Sequence, residues 1–316
     1  MMEPKKKGGE VMAKVFRQLC LFAFAGATSL AGQKQDPDHS LITIREIDAK
    51  LEKLASGYET VEGPLYDGKG HLLFTDIPNQ RIWQLNLKTL ETTLFRDETG
   101  GANGLAFDLR GRLLMCKQRE KSLARLEDDG TETVLLKPTR IGGNKKIQPV
   151  GVNDVVVDRK GRIYVTVPGA GSVYLLDSDG GNPRPVISGL KGPNGLMLSP
   201  DEKTLYVSEY KEQKLHAYEV DPKNGNVSKR RLFARVLPPS DYGCDGMTVD
   251  HLGNLFFIKE RVFVHIICTQ ESLGELVFLG SCRPSVAMAR VRIRRNGREL
   301  RISHRVDFEH ISNFLL

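Results

Sequence analysis

Short apolar runs, each bounded by glycine, aspartate or proline, recur along the middle of the chain. Runs such as GRLLMC, GRIYVTV, KTLYVSE and GNLFFI are rich in β-branched and aromatic residues, which is typical of β-strands. Amphipathic runs with the 3.6-residue period of a helix are missing from these segments. Further runs that indicate partner strands occur at 81–87, 172–177 and 214–220. The pattern therefore predicts an all-β protein.

Five segments share one arrangement: a polar residue, a short apolar run, a turn and a second apolar run. They start at residues 62, 103, 153, 194 and 245, with spacings of 41, 50, 41 and 51 residues. In the fourth segment, residues 199–203 supply the turn. In the other four, a turn glycine follows the polar residue by eight positions: Gly70, Gly111, Gly161 and Gly253. Periods of forty to fifty residues with β-rich content predict the four-stranded blades of a propeller.

The first position of every segment carries a side-chain oxygen, in Glu62, Asn103, Asn153, Asn194 and Asp245. Because the innermost strands of successive blades surround one channel, we expect these residues to meet around its axis. Carboxylate and amide oxygens suit Ca²⁺, with Mg²⁺ and Mn²⁺ as alternatives and Zn²⁺ less favoured without His or Cys ligands. Asn-Gly pairs also form ordinary turns, but turn chemistry does not account for Glu62. The register therefore predicts a divalent-cation site.

Five segments of the chain resemble the senescence marker protein/gluconolactonase family: VEGPLY, NGLAFDLRGRLLMCK, GVNDVVVDRKGRIYVT, GPNGLMLSPDEKTLYVSE and GCDGMTVDHLGNLFF. The resemblance ends at Phe257. Members of this regucalcin-like family are six-bladed propellers and calcium-dependent lactonases. The resemblance implies that Asn153 lines the metal pocket as a metal or substrate contact. It assigns no ligand role to Asn103, which stays a candidate pocket and substrate-binding residue from its position in the repeat. It implies that the metal ligands come from the motifs EGP, PNG and DGM, here Glu62, Asn194 and Asp245.

The resemblance implies hydrolysis of a sugar lactone, in which water attacks a carbonyl polarised by a channel-bound divalent cation. We expect Asp245 to accept the proton of the water, and Glu62 is the second candidate for this role. The chain has no GxSxG motif, which speaks against a serine triad. Two alternatives stay open: a phosphotriester or aryl-ester hydrolase with the same metal, and a non-catalytic propeller that binds a protein or a glycan. The expected partner is a small-molecule lactone, and the oligomeric state is open.

Two kinds of side chain near the inner strands are further candidates. Arg119 and Lys117 follow an inner strand, where they would reach a polar substrate; solvated side chains are the alternative. Val167 stands where the family often has aspartate, so this loop lacks that carboxylate.

The five cysteines include no CxxC pair, which argues against zinc or redox motifs. Cys116 and Cys244 are expected to be buried thiols, with a disulfide as the alternative.

The N-terminus has the order of charges and apolar residues that is typical of an export signal. Lys14 and Arg17 precede the apolar run 19–31, and we predict a signal peptide over 1–32, with Met12 as a second candidate start. A buried N-terminal helix is the alternative, and the run is too short for a stable membrane anchor. Residues 33–57 are predicted to form a linker and a first outer strand, followed by blades over 58–257. The protein is therefore expected to be periplasmic or secreted.

The formal charge of +7 belongs to one C-terminal segment. Residues 283–305 hold eight arginines against Glu299 alone, so the rest of the chain sums to zero and a general nucleic-acid-binding surface is not expected. Segment 258–316 does not continue the repeat. We consider a divergent or truncated last blade, a basic interaction segment, or out-of-frame translation of the last part of the gene, and favour the third.

Overall fold

The strands predicted along the middle of the chain are present in the computed structural model. The structure describes the residues 42–43, 48–141, 147–235, 243–249, 253, 255–259, 263–267, 276–280, 286–295 and 298–299. The predicted signal peptide at 1–32 lies outside these residues. Across the described ranges, no helix has the length and apolar character needed to cross a membrane. The first two strands are β1 (Ile42–Thr43) and β2 (Asp48–Tyr58).

Four antiparallel sheets of four strands follow, and in each the strands pair in sequence order. Blade I consists of β3 (Val61–Tyr66), β4 (His71–Asp76), β5 (Arg81–Asn86) and β6 (Thr92–Arg96). Blade II consists of β7 (Ala102–Phe107), β8 (Leu113–Lys117), β9 (Ser122–Leu126) and β10 (Glu132–Leu136). A hairpin of β11 (Thr139–Ile141) and β12 (Ile147–Pro149) comes next.

Two further blades repeat this plan. Blade III consists of β13 (Val155–Val157), β14 (Ile163–Val167), β15 (Ser172–Leu176) and β16 (Arg184–Ile187). Blade IV consists of β17 (Pro193–Leu198), β18 (Thr204–Glu209), β19 (Lys214–Val220) and β20 (Val227–Arg235). Short 3-10 helices follow the second strand of each, at Pro168–Ala170 and Tyr210–Glu212.

The last two sheets combine strands from both ends of the chain. In blade V, β1 pairs with the third of the strands β21 (Cys244–Val249), β22 (Leu255–Lys259) and β23 (Phe263–Ile267). In the terminal sheet, β2 and the short β26 (Arg298–Glu299) both pair with β25 (Val286–Arg295), which also pairs with β24 (Leu276–Gly280). Strands therefore continue beyond residue 257, where the repeat was expected to stop. The all-β prediction is confirmed, while the count of six blades and the origin of 258–316 stay predictions.

The hydrophobic core lies in layers between adjacent blades. Leu73 of blade I packs with Leu105 and Met115 of blade II, and a similar layer joins each of the blades II to V to its neighbour. The second strand of a blade is covered on both faces, so every residue of β8 and β14 is buried, whereas β6 at the outer edge is largely exposed. Burial on both faces explains the continuous apolar runs in the sequence. The same layers fix the position of each inner strand.

The predicted turns form at the end of each inner strand. Asp108 organises one of them, since its Oδ1 accepts the N–H groups of Arg110 and Arg112, both at 2.9 Å. In blade IV, Glu202 adopts the positive φ of 55° in place of a glycine. Positive φ, between 77° and 99°, occurs at all four predicted turn glycines: Gly70, Gly111, Gly161 and Gly253.

Blades III and IV are joined by hydrogen bonds to the loop between β19 and β20. The hydroxyl of Tyr164 donates to the carbonyl of Gly225 at 2.8 Å, and Lys160 Nζ donates to that of Pro222 at 2.6 Å. Tyr164 is fully buried, and this burial raises its pKa to about 12. A buried neutral hydroxyl with a carbonyl partner is a stabilising link between the two blades.

Replacing Tyr164 with phenylalanine is expected to lower the free energy of unfolding by about 1 kcal/mol, because the buried Gly225 carbonyl loses its donor. Urea denaturation measures this change. The half-buried Tyr174 on the next strand gives the control, Tyr174→Phe. Equal stability of the two variants would show that the link to Gly225 contributes nothing.

Candidate functional site

The inner strands of blades I to V pack side by side in chain order. Strand β3 contacts β7, β7 contacts β13, β13 contacts β17, and β17 contacts β21. Asn153 lies two residues before β13. The other four predicted polar residues are each the second residue of an inner strand: Glu62, Asn103, Asn194 and Asp245. The structure thus places four of the five on neighbouring inner strands and Asn153 just before the inner strand of blade III.

A β-bulge lies at this position in four of the blades. The register between inner and second strand shifts between Glu62 and Leu65 in blade I. In blades II, IV and V the shift lies between the residue before the polar one and the second residue after it. Bulges change the direction of a side chain and are common beside active sites. In each of these bulges, a glycine follows the polar residue: Gly63, Gly104, Gly195 and Gly246.

These glycines bring each inner strand into close contact with the next. A Cβ atom at Gly63 would overlap the carbonyl oxygen of Asn103, and one at Gly195 would lie 2.6 Å from the carbonyl oxygen of Asp245. The N–H of Gly104 donates to the carbonyl of Asn153 at 3.0 Å. The polar residues of adjacent blades are therefore neighbours through their backbones. Their role as metal ligands stays a prediction.

The exposure of the polar residues separates them into two kinds. Asn103 is buried, with 8% of its surface exposed. The four predicted metal ligands are all half-buried: Glu62, Asn153, Asn194 and Asp245. The four predicted ligands are thus more exposed than Asn103.

Asp154 is a candidate that the sequence reasoning missed. It stands where blades I, II, IV and V have glycine. Its Oδ1 accepts the N–H of Val155 at 2.9 Å, and its Oδ2 accepts the N–H of Leu196 in blade IV at 3.3 Å. The pKa of Asp154 is raised to about 7, mainly by burial. The hydrogen bonds from the two N–H groups oppose this rise, and the Asp245 carboxylate adds to it. An alignment of the five repeats would have shown this carboxylate at a glycine position.

The two basic residues predicted near the site contact blades I and II. Arg119 Nη2 donates to the carbonyl of Pro78 at 2.8 Å. Lys117 is buried, and its ammonium group pairs with Glu132 at 2.5 Å and with Glu120 at 2.9 Å. Burial lowers the pKa of Lys117, but the two carboxylates outweigh this effect and raise the pKa overall. A substrate contact by Arg119 stays a prediction.

Cys116 and Cys244 are buried thiols and form no disulfide, as the sequence favoured. Burial raises the pKa of Cys116 well above its usual value, and the Asp154 carboxylate raises it further. Cys116 belongs to the hydrophobic layer between blades II and III, and a neutral thiol is a poor nucleophile.

The donor set on the inner strands fits a hard divalent cation. The set consists of carboxylate oxygens from Glu62 and Asp245 and amide oxygens from Asn153 and Asn194. Ca²⁺ binds such oxygen ligands with flexible geometry. In the part of the chain that the structure describes, no three His, Cys, Asp or Glu side chains are grouped closely enough to hold a metal ion. A cation would therefore need the amide oxygens as well as the carboxylates.

Repeated four-stranded antiparallel sheets, with polar residues at the start of neighbouring inner strands, define a propeller-type protein. Residues 60–265 match the SMP-30/Gluconolactonase/LRE-like region, and the chain belongs to this family. The match extends beyond Phe257, where the resemblance of the motifs was expected to end.

Individual relatives agree with the family. A gluconolactonase from Zymomonas mobilis is 26% identical over 68% of this chain and 69% of its own. A gluconolactonase structure from Xanthomonas campestris is 24% identical, with a TM-score of 0.63 over 85% of this chain and 99% of that one. A calcium-binding regucalcin from Agrobacterium tumefaciens is 19% identical, with a TM-score of 0.54 over 66% of this chain and 71% of that one. The chain spans about two thirds of the length of the curated relatives it matches.

Proposed function

We propose that the protein hydrolyses a sugar lactone in a gluconolactonase-like reaction that depends on a divalent cation, with Ca²⁺ as the best fit. Family membership and the activity of the Zymomonas relative support the reaction class. The observation that carries the metal dependence is the position of Glu62, Asn194 and Asp245 at equivalent bulges of inner strands. The calcium-binding regucalcin with a similar fold supports the choice of ion.

The side chains that would hold the cation are the half-buried Glu62, Asn153, Asn194 and Asp245. When bound, a divalent cation polarises a carbonyl oxygen and stabilises the negative charge that develops on it. Asp245 accepts the proton of the attacking water, with Glu62 as the second candidate for this role. Asn153 orients the substrate from the neighbouring blade, while Asn103 shapes the wall of the pocket.

Hydrolysis of glucono-δ-lactone by the purified protein, with and without chelator, tests the proposal. We expect chelation to lower kcat/KM at least about a hundredfold, because Lewis-acid stabilisation contributes several kcal/mol to the barrier, and added Ca²⁺ to restore the activity. Activity that is insensitive to chelator would contradict the metal dependence. Turnover of an aryl ester or a phosphotriester without lactone turnover would support the other ester hydrolase, and Ca²⁺ binding without any turnover would support a binding scaffold.

A further inference from the structure

Two buried carboxylates occupy the same position in blades I and IV. Asp76 is the last residue of β4 and pairs with Val61, the residue before Glu62. Glu209 is the last residue of β18 and pairs with Pro193, the residue before Asn194. Only 2% of Asp76 and 3% of Glu209 is exposed. Each carboxylate thus lies one residue along the strand ladder from a predicted metal ligand.

Both carboxylates accept hydrogen bonds from the chain segment that leads into the inner strand. Asp76 Oδ1 accepts the N–H groups of Glu59 at 3.2 Å and of Thr60 at 3.1 Å, just before Glu62. Glu209 Oε1 accepts the N–H of Lys191 at 2.7 Å, just before Asn194. Hydrogen bonds from N–H to an ionised carboxylate are stronger than those between neutral groups, so each carboxylate fixes the backbone at the entry to its bulge.

The second oxygen of each carboxylate is held as well. Asp76 Oδ2 accepts a hydrogen bond from Asn79 Nδ2 at 2.8 Å. Glu209 Oε2 lies 2.7 Å from His216 Nε2 and accepts one from Arg230 Nη2 at 3.2 Å. Burial raises the pKa of Glu209, but the Lys191 N–H, His216 and Arg230 outweigh this effect and lower it. Both carboxylates are therefore oriented from two sides.

The equivalent positions in the other blades carry different residues. Lys117 pairs with Ala102 in blade II, Val167 ends β14 in blade III, and Lys259 pairs with Cys244 in blade V. The last residue of a blade's second strand therefore does not have to be a carboxylate for the strand to form. A carboxylate occurs at this position where the inner strand carries Glu62 or Asn194.

We propose that Asp76 and Glu209 are positioning residues for the cation site, which fix the backbone before Glu62 and Asn194 and so hold these side chains in ligating geometry. The inference rests on the proposed function, because it assigns a purpose to these contacts only if Glu62 and Asn194 bind the cation. Partners behind a metal ligand commonly change metal affinity ten- to a hundredfold when they are removed.

Calcium titration calorimetry on the full chain tests the inference. Asp76→Ala and Glu209→Ala are expected to weaken Ca²⁺ binding at least about tenfold and to lower kcat/KM for the lactone accordingly. Asp76→Asn and Glu209→Gln keep an acceptor oxygen and should recover most of the affinity. Asp108→Ala is the matched control, since Asp108 is equally a buried carboxylate that accepts two backbone N–H groups, but it lies in the turn at the far end of its strand.

A measurement on the wild-type protein covers the case in which the alanine variants do not fold. Hydrogen exchange at the amides of Thr60 and Lys191 should slow when Ca²⁺ binds. If their hydrogen bonds to Asp76 and Glu209 strengthen Ca²⁺ binding, then bound Ca²⁺ must stabilise these hydrogen bonds in turn. The amides of Arg110 and Arg112, which Asp108 holds, should not change. Unchanged exchange at Thr60 and Lys191 would overturn the inference.

The two proposals fail in different ways. A wild-type protein that neither binds Ca²⁺ nor hydrolyses the lactone overturns the proposed function and this inference with it. If the wild type does both, but Asp76→Ala and Glu209→Ala bind Ca²⁺ as tightly as Asp108→Ala, only the positioning role is overturned.

Discussion

Replacing Asp245 with alanine is expected to remove lactone hydrolysis almost completely and to leave the fold intact. Asp245 is half-buried at the bulge of β21, so its side chain is not part of the layers between blades. The variant loses both the proposed cation ligand and the proposed proton acceptor. General-base catalysis alone commonly contributes a factor of about 10²–10⁴, so we expect kcat/KM to fall at least about a thousandfold. Initial rates at saturating Ca²⁺ measure the loss.

The conservative variant separates the two roles of Asp245. Asparagine keeps an oxygen that can bind the cation but cannot accept a proton, so Asp245→Asn should retain most of the Ca²⁺ affinity while its turnover falls almost as far as that of Asp245→Ala. Asp221, which accepts the N–H of Lys223 at 2.8 Å in a turn of blade IV, provides the control variant Asp221→Ala. Near-normal turnover in Asp245→Asn would rule out Asp245 as the proton acceptor.

The blade repeat was predictable because two physical requirements leave periodic marks in the sequence. A second strand such as β14 is covered by blades on both sides, which requires an apolar run, and a turn such as that at Gly111 requires positive φ. The polar position at the start of each inner strand recurs with the same period. Both the all-β fold and the common register of Glu62 and Asp245 therefore followed from the repeat.

Features that depend on contacts between distant segments were not predictable. The pairing of β1 with β23 and of β2 with β25 joins opposite ends of the chain, and such pairing leaves no periodic signal. Asp76 has no mark in the repeat, and only the three-dimensional structure shows that it accepts the N–H of Thr60. Asp154 was missed for a different reason, since the repeat was read at the polar position and not at the glycine after it.

Replacing Gly63 with alanine is expected to lower the free energy of unfolding by about 3 kcal/mol. Gly63 has a φ of 53°, which costs a residue with a Cβ roughly 1–2 kcal/mol. The added Cβ would also overlap the carbonyl oxygen of Asn103, and relieving such overpacking costs about 1–3 kcal/mol. Because β3 must move away from β7, Glu62 is displaced from Asn103 and lactone hydrolysis should fall as well.

Two matched variants separate the conformational cost from the overlap. Gly111 has a φ of 77° and nothing within 4 Å of an added Cβ, so Gly111→Ala should show only the conformational cost, about 1 kcal/mol, with unchanged hydrolysis. At Gly195 φ is not positive and the Cβ would lie 2.6 Å from the Asp245 carbonyl oxygen, so Gly195→Ala should show the overlap alone and should impair hydrolysis. Urea denaturation and lactone kinetics on all three variants measure both effects. If Gly195→Ala were as stable and as active as Gly111→Ala, close contact between the inner strands would not be what sets the geometry of the site.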